Sequence, residues 1–538
     1  MDIGLSWPAC TLAISSLTLR IIAPYFVRWL PLGPRFTPLI YTSSVIYFTT
    51  FAYELWQHQQ KYQYKNGKPR NSRRLSIWGI ILFGWFDPRH ILATALSFIV
   101  NLLCLLVSLD FVYRSHIFYD GNELSFSRVG YVDSSSARIV VRVPSASTVQ
   151  IEYRQDNVAQ WIPGQILSPL PGEPDNVLTF TLTSLHDNTS YVYRTNASHL
   201  GSFHTPIQDP KRWTMVTTSC IKPFYPYNPF DHSLRIRGLE YLSRFITSHN
   251  VDFVLFLGDF IYIDLPLRFG WTTDDYYKAY RQVYSSPSWS SELFALPWLH
   301  IYDDHEITND WSGNETGLYQ DAIQPYLYYH HAANPPHLRK GATYYSFRRG
   351  DVSFFVTDTR RYRSPSAMDD GPGKTMLGEM QRRDVEKWLE TDNGWKVLVS
   401  GVPFTRNWRG PEANDSWAGY LWERQLLLEK MWATEGVVIL SGDRHEHATT
   451  LFPSPDGTSK VIEFSTSPLS QFYQPFDRQY RQVEDTDVAM YSHPHGISKF
   501  GSLTFDTSSP GIWNLGFELV VNGKNAWSYN WTLSRTKQ

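Results

Sequence analysis

Five apolar, strand-like runs in this chain each stop on residues that bind ions or acidic oxygens. WTMVTTSC ends on Cys220, and later runs lead into GDFIYID (258–264), YDDHEITND (302–310), TDTRRYR (357–363) and SGDRHEH (441–447). In an open α/β sheet, ligands are met outside the carboxyl ends of the strands, so five strand-end clusters predict one shared site. Thiol, phenol, carboxylate and imidazole groups recur in them, which is the chemistry of a metallohydrolase.

The intervening text supports such a sheet. Strands are expected at 213–218, 251–257, 298–302, 352–357, 396–400, 437–440 and 461–464, with helices at 233–248, 378–390 and 419–432. Nearly continuous Val, Leu and Phe runs suit strands covered on both faces. Before them, from about 115 to 206, short alternating segments (ARIVVRV, TVQIEYR, VLTFTLTSL, TSYVYRT) separated by Ser, Asn, Pro and Gly turns predict a small β-sandwich. Within it, LHDNTSYVYRTN resembles the penultimate-strand region of fibronectin type III-like domains. It carries no polar constellation suited to chemistry.

The N-terminal part has a different character. Ile91 to Leu109 is nineteen residues without a charge, long enough to cross a bilayer. Phe36 to Trp56 is a second candidate span and Thr11 to Leu30 a third, the latter interrupted by Arg20, Pro24 and Arg28; Leu75 to Phe86 is too short to span alone. Between Gln57 and Arg74 lie Lys61, Lys65, Lys68, Arg70, Arg73 and Arg74 with no acidic residue, a cytoplasmic signature that sends the remainder to the lumenal or extracellular side. Sequons at Asn188, Asn196, Asn314, Asn414 and Asn530 agree with that placement. No cleavable signal peptide is expected, because Arg20 and Pro24 break the first apolar stretch.

Composition excludes some partners. With 49 basic against 51 acidic residues, the bulk charge offers nothing to nucleic acid, and no obligate protein partner is evident. The three cysteines cannot form a disulfide framework; Cys10 and Cys104 lie in the apolar N-terminal stretches, leaving Cys220 alone.

Within the clusters, Gly258 lets the backbone approach ions, and the two oxygens of Asp259 can bridge a pair of cations. Tyr262 favours a ferric ion, and a Cys220 thiolate suits iron better than magnesium or calcium. One of Asp303 and Asp304 is expected to be a ligand, Asn309 can add a neutral oxygen, and His305 is placed to protonate a leaving oxygen. Asp443 and His445 face the same side if the chain stays extended, with His447 joining them or orienting a ligand from behind. Arg360 and Arg361 are candidate clamps for phosphoryl oxygens, since a guanidinium donates in pairs.

The order SC, GDFIY, DDHEITND, DTRRYR, SGDRHEH, followed by EFSTSPLS and FGSLTFD, resembles the alkaline phosphatase D (PhoD-like) family of calcineurin-like metallophosphoesterases over roughly residues 115 to 510. The resemblance implies an α/β fold, a metallophosphoesterase β-sandwich flanked by helices, preceded by the fibronectin type III-like sandwich; the transmembrane helical region before it departs from the family's secreted members. Domains are therefore expected at 1–114, 115–208 and 209–538. It also implies Fe3+ with one or two divalent ions, calcium foremost. Cys220, Asp259, Tyr262 and His445 would hold the iron, and Asp304, Asn309 and Asp443 would complete the divalent side. The expected activity is hydrolysis of phosphate mono- or diesters by a metal-bridging hydroxide, with Arg360, Arg361 and His305 assisting. A phosphodiesterase acting on lipid or glycan head groups and an inactive, metal-stabilised membrane scaffold are the alternatives. A non-haem iron oxygenase lacks its two-His-one-carboxylate set here.

Overall fold

The computed structural model describes residues 6–28, 33–63, 75–145, 147–169, 175–391, 394–410, 413–471, 480–482 and 486–534. Most of the basic run between Gln57 and Arg74 lies outside them. The chain divides into two compact units: Met1–Tyr119 with Pro226–Ser233 and Asp264–Arg268, and Asp120–Tyr225 with Leu234–Ile263 and Phe269–Gln538.

Among its described residues the first unit contains four helices, α1 (Trp7–Arg28), α2 (Gly33–Gln63), α3 (Ile77–Phe83) and α4 (Ile91–Phe118). Among the described residues, α1 and α4 are long and apolar enough to cross a membrane. The sequence offered α2 ahead of α1, yet it is α1, with its internal Pro24 and Arg20, that meets the test. Arg20 is accommodated by acceptors: its guanidinium donates to Asn101 Oδ1 at 3.2 Å, to the Ser97 carbonyl at 2.9 Å and to the Ile81 carbonyl. Short α3 begins where the Ser76 hydroxyl accepts from Gly79 N–H and ends at Gly84 in the left-handed region. Helix α4 runs on to Phe118, so residues 115–118 are helical and not the start of the sandwich.

The second unit opens with that sandwich. One sheet has the order β1 (Phe126–Val132), β2 (Ala137–Arg142), β5 (Val177–Leu182); the other has β4 (Ile162–Leu167), β3 (Val149–Gln155), β6 (Ser190–Thr195), β7 (Leu200–His204). Ile139, Val141, Ile151, Phe180, Tyr191 and Phe203 fill the space between them. At the start of β6, the Tyr191 hydroxyl accepts from the His186 backbone N–H at 2.8 Å, which closes the corner before that strand. The sandwich is tied to the larger body by buried ion pairs, in which Asp175 receives Arg142 at 2.7 Å and Arg281 at 2.8 Å.

Two further sheets follow. The six-stranded sheet is ordered β10 (Trp298–Ile301), β9 (Phe253–Leu257), β8 (Arg212–Thr218), β18 (Lys499–Ser509), β19 (Ile512–Val521), β20 (Lys524–Ser534). The seven-stranded sheet is ordered β11 (Tyr345–Arg349), β12 (Val352–Val356), β13 (Trp395–Val399), β14 (Val437–Ser441), β16 (Lys460–Thr466), β15 (His447–Pro453), β17 (Val488–His493). Strands β8, β9 and β10 run parallel, as do β12, β13, β14 and β16.

Residue alternation along these strands builds three cores from one sequence pattern. In β9, Phe253, Leu255 and Leu257 join Val397, Val399, Val438, Leu440 and Phe464 between the two sheets. Val254 and Phe256 face the opposite way, onto α5 (Arg237–Ser248), α6 (Thr273–Tyr284) and α8 (Tyr319–Tyr329), with the short α7 (Ser291–Ala295) nearby. On the far side, Phe355, Leu398, Val437 and Ile439 meet α9 (Gly378–Thr391) and α10 (Leu421–Trp432). The result is helix, sheet, sheet, helix, in which buried strands read as continuous apolar runs because both faces are covered.

Candidate metal centre

Each expected cluster begins where a parallel strand stops. Cys220 follows β8, Asp259 follows β9, Asp303 and Asp304 follow β10, Asp358 to Arg363 follow β12, and Asp443 and His445 follow β14. Strands β8, β9 and β10 belong to one sheet and β12 and β14 to the other, so the site joins two sheets at their carboxyl edges.

Donor atoms of Cys220, Asp259 and His445 lie within 4.8 Å of one another, as do those of Asp259, Asp303, Asp304 and Asp443, and those of Asp259, Asp304 and His305. Asp259 is common to all three groups. The Tyr262 hydroxyl donates to Asp259 Oδ2 at 2.9 Å and lies 3.0 Å from His445 Nε2, while Cys220 Sγ is 3.3 Å from Asp259 Oδ2. Cys220, Asp259, Asp443 and His445 have φ of 65°, 56°, 72° and 58°. Four non-glycine residues in the left-handed region, all in one pocket, is strain of the kind retained at functional sites. Gly258 is required where it stands: a Cβ there would lie 2.5 Å from the Asp303 Cβ.

Glu306 organises the pocket from beneath. Its carboxylate accepts from Asp259 N–H at 3.0 Å, Phe260 N–H at 2.6 Å and Asp303 N–H at 2.8 Å, joining the turns after β9 and β10. A second support comes from Arg360, which is fully buried, donates to Asp303 and forms a two-pronged pair with Asp415 at 2.7 and 2.9 Å. Arg363 grips the same Asp415 at 2.9 Å, and these two cations hold the Asp415 carboxyl far below the usual range. Arg361 is only partly buried and pairs with Glu315.

Burial sets the electrostatics. It drives the Asp259 carboxyl, Cys220 thiol and Tyr262 phenol well above their ordinary pKa values and the His445 imidazole well below its own. Asp303 is raised to about 8 by burial, which outweighs the opposing pull of Arg360, and Asp443 is raised to about 7. Asp303 Oδ2, Asp304 Oδ1 and Asp443 Oδ2 are buried and accept no hydrogen bond among the described residues. Arg360 stands 3.5 Å from Asp304 Oδ1 and Arg444 3.2 Å from Asp443 Oδ2. Buried carboxylate oxygens without a hydrogen bond, beside a thiol, a phenol and an imidazole, are what cations would satisfy, so the donor set fits metal ions.

Asn309 and His447 have surroundings of their own. Asn309 is exposed in the turn after the 3-10 helix Asp304–Glu306. His447 sits on β15 with its Nδ1 3.0 Å from the Thr466 hydroxyl and its Nε2 3.0 Å from that of Thr449, and burial depresses its pKa to about 3. Both ring nitrogens are thus occupied away from the donors. Glu306, Asp415 and Arg363 were missed as site residues; the only sequence signal was Glu306 inside DDHE and Arg363 inside TDTRRYR.

Two solved structures share this architecture. One described as PhoD superposes with a TM-score of 0.61 at 20% identity, covering 76% of this chain and 90% of that one. Purple acid phosphatase PPD1 from yellow lupin (Lupinus luteus) superposes with a TM-score of 0.53 at 14% identity, covering 76% and 75%. At those identities the likeness is one of fold. By sequence, alkaline phosphatase D of Bacillus subtilis (strain 168) is 26% identical over 371 residues, 58% of this chain and 60% of that protein's length. The family model for PhoD-like phosphatases matches residues 237–510, and the chain belongs to that family.

Proposed function

We propose that this protein is a membrane-anchored, metal-dependent phosphoesterase that hydrolyses phosphate mono- or diesters. The observation that carries the reading is the convergence of Cys220, Asp259, Tyr262, Asp303, Asp304, Asp443 and His445 on one buried pocket. Cys220, Tyr262 and His445 would hold an ion such as Fe3+, Asp304 and Asp443 a divalent ion such as Ca2+, and Asp259 would serve both. Bound there, the ions would supply Lewis acidity that acidifies water near neutral pH and offsets charge on the phosphoryl oxygens.

The protein's own groups divide the remaining work. His305, with its backbone N–H 3.3 Å from Asp259 Oδ1, delivers a proton to the departing oxygen. Arg360, committed to Asp303 and Asp415, keeps a carboxylate in position and does not itself clamp substrate. Arg361 is the arginine free enough to exchange Glu315 for a phosphoryl oxygen. Asn309 is the neutral oxygen donor proposed for the divalent side.

Three parts make up the chain in this reading: a membrane region whose last helix runs to Phe118, a fibronectin type III-like sandwich from there to 208 supported by the Tyr191 corner, and the PhoD-like domain over 209–538. The asparagines of all five sequons are exposed, which supports a lumenal or extracellular site. The two membrane-competent helices favour, as a second reading, a phosphodiester head group carried by a lipid or glycan.

The test is metal content measured with monoester and diester hydrolysis on the full-length protein in detergent, before and after chelation, for wild type and Tyr262→Phe. Loss of iron and activity together is expected for the variant. Full retention of both would remove Tyr262 from the ligand set, and a metal-free wild-type protein would end the proposal.

A further inference from the structure

Beyond the sandwich the chain returns one short segment to the helical unit, and that segment carries an exposed aromatic. Pro226–Ser233 belongs to the same compact unit as α4. It lies along the last turns of that helix: the Tyr227 hydroxyl donates to Asp110 Oδ2 at 2.8 Å, and Arg114 donates to the Pro229 carbonyl at 2.9 Å and the Asp231 carbonyl at 3.1 Å. Arg114 is itself fixed by Asp110 at 2.7 Å, and the rings of Tyr119 and His232 stand 4.7 Å apart. At the tip the Asn228 side chain accepts from Phe230 N–H at 3.1 Å, and Asp231 N–H donates to the Asn228 carbonyl at 3.1 Å. This turn holds Phe230 outward, 94% exposed.

Position along α4 says what such a residue would meet. The nineteen uncharged residues from Ile91 to Leu109 rise roughly 28 Å as a helix, close to the hydrocarbon thickness of a bilayer. Asp110 is therefore the first residue beyond it, and the contacts of the segment described above fall between Asp110 and Tyr119, at head-group level. The same end of α4 leaves Ile117 and Phe118 exposed, at 65% and 73%. Tyr113, Tyr119 and Tyr227 at this level match the aromatic belt of membrane interfaces. An isolated exposed Phe on a soluble surface needs no explanation, but one braced on the end of a bilayer-length helix does.

We infer that Pro226–Ser233 is a membrane-surface loop and that Phe230 inserts into the lipid head-group layer, giving the protein a second lipid contact besides its helices. The inference rests on the membrane reading of α4 above.

The experiment uses the full-length protein with Cys10→Ser, Cys104→Ser and Phe230→Cys, labelled with an environment-sensitive fluorophore and reconstituted into phosphatidylcholine vesicles. Cys220, fully buried, stays unlabelled. A label at exposed Ser198 serves as the aqueous reference. The expected result is several-fold weaker iodide quenching at position 230 than at 198, with strong quenching by lipids spin-labelled near the head group. Equal iodide quenching at both positions in vesicle-bound protein overturns the loop contact and leaves the anchor intact. Shielding from both quenchers overturns it too, because protein and not lipid would then cover the loop. Failure of the protein to float with vesicles rejects the membrane anchor and the loop contact together.

Discussion

At the scale of single residues, the pocket depends on a carboxylate with no donor role of its own. Glu306 satisfies three backbone N–H groups at once, and each belongs to a turn that carries Asp259 or Asp303. Glu306→Gln keeps the size but turns an N–H2 group toward donors, so metal affinity is expected to fall about 10- to 100-fold, the usual effect of removing a group that orients ligands. Elemental analysis of the purified variant checks this; an unchanged metal content would remove the clamp from the account of the site. A different buried acid sets a pH dependence. Glu463 accepts from Ser441 Oγ at 2.7 Å, Phe404 N–H at 2.6 Å and Thr405 N–H at 2.9 Å, yet burial still raises its pKa to about 7 from an ordinary 4.5. A raised carboxyl pKa favours the protonated folded state, so its contribution is complete below the unfolded pKa and is lost as pH climbs through 7. The melting temperature is expected to fall between pH 5 and pH 8 by an amount corresponding to a few kcal/mol, on the order of 1.4 per pKa unit, and Glu463→Gln should flatten that slope. Neither role was legible in the chain, because Glu306 and Glu463 act on backbone amides that no local pattern marks.

Elements were more readable, for a physical reason. Strands β8, β9, β10, β12, β13, β14 and β16 were each anticipated to within a few residues, since doubly covered strands leave uninterrupted apolar runs. Helices α6 and α8 were not anticipated. Their buried stripe is tyrosine, with Tyr276, Tyr277, Tyr280, Val283 and Tyr284 facing the core of α6, and the spacing shows only if tyrosine is counted as a core residue. The expected helix from 233 begins instead at Arg237, because Ile236 is extended and its N–H donates to the Ser288 hydroxyl at 3.0 Å. Strand ends also told where the site would lie, whereas the pairing of Arg360 with Asp303 and Asp415 spans more than fifty positions and could not be inferred. The strand-to-turn junction itself is exacting. Gly258→Ala would set a Cβ 2.7 Å from the Asp303 backbone N at a φ of 91°, where neither neighbour nor backbone has room to yield. A loss of roughly 1–3 kcal/mol is expected from the strained conformation alone, seen as a lower denaturation midpoint together with reduced metal content; a midpoint equal to wild type would show that the turn is looser than its geometry implies.

At the scale of the whole molecule, the two central sheets are held by apolar side chains between them over most of their area. Their carboxyl rims are different. There Cys220, Asp259, Asp303 and Asp304 from one sheet oppose Asp443 and His445 from the other, and three of the carboxylate oxygens between them accept no hydrogen bond among the described residues. A cation seated in that gap would act as a rivet through two plates, and withdrawing it would untie the rims and leave their buried carboxyls to take up protons. Amide hydrogen exchange after chelation should accordingly quicken first in the turns following β8, β9 and β14, while the opposite rim keeps its protection. Uniform loosening across both plates would mean that the fastening is spread through the oily filling and not concentrated at one edge.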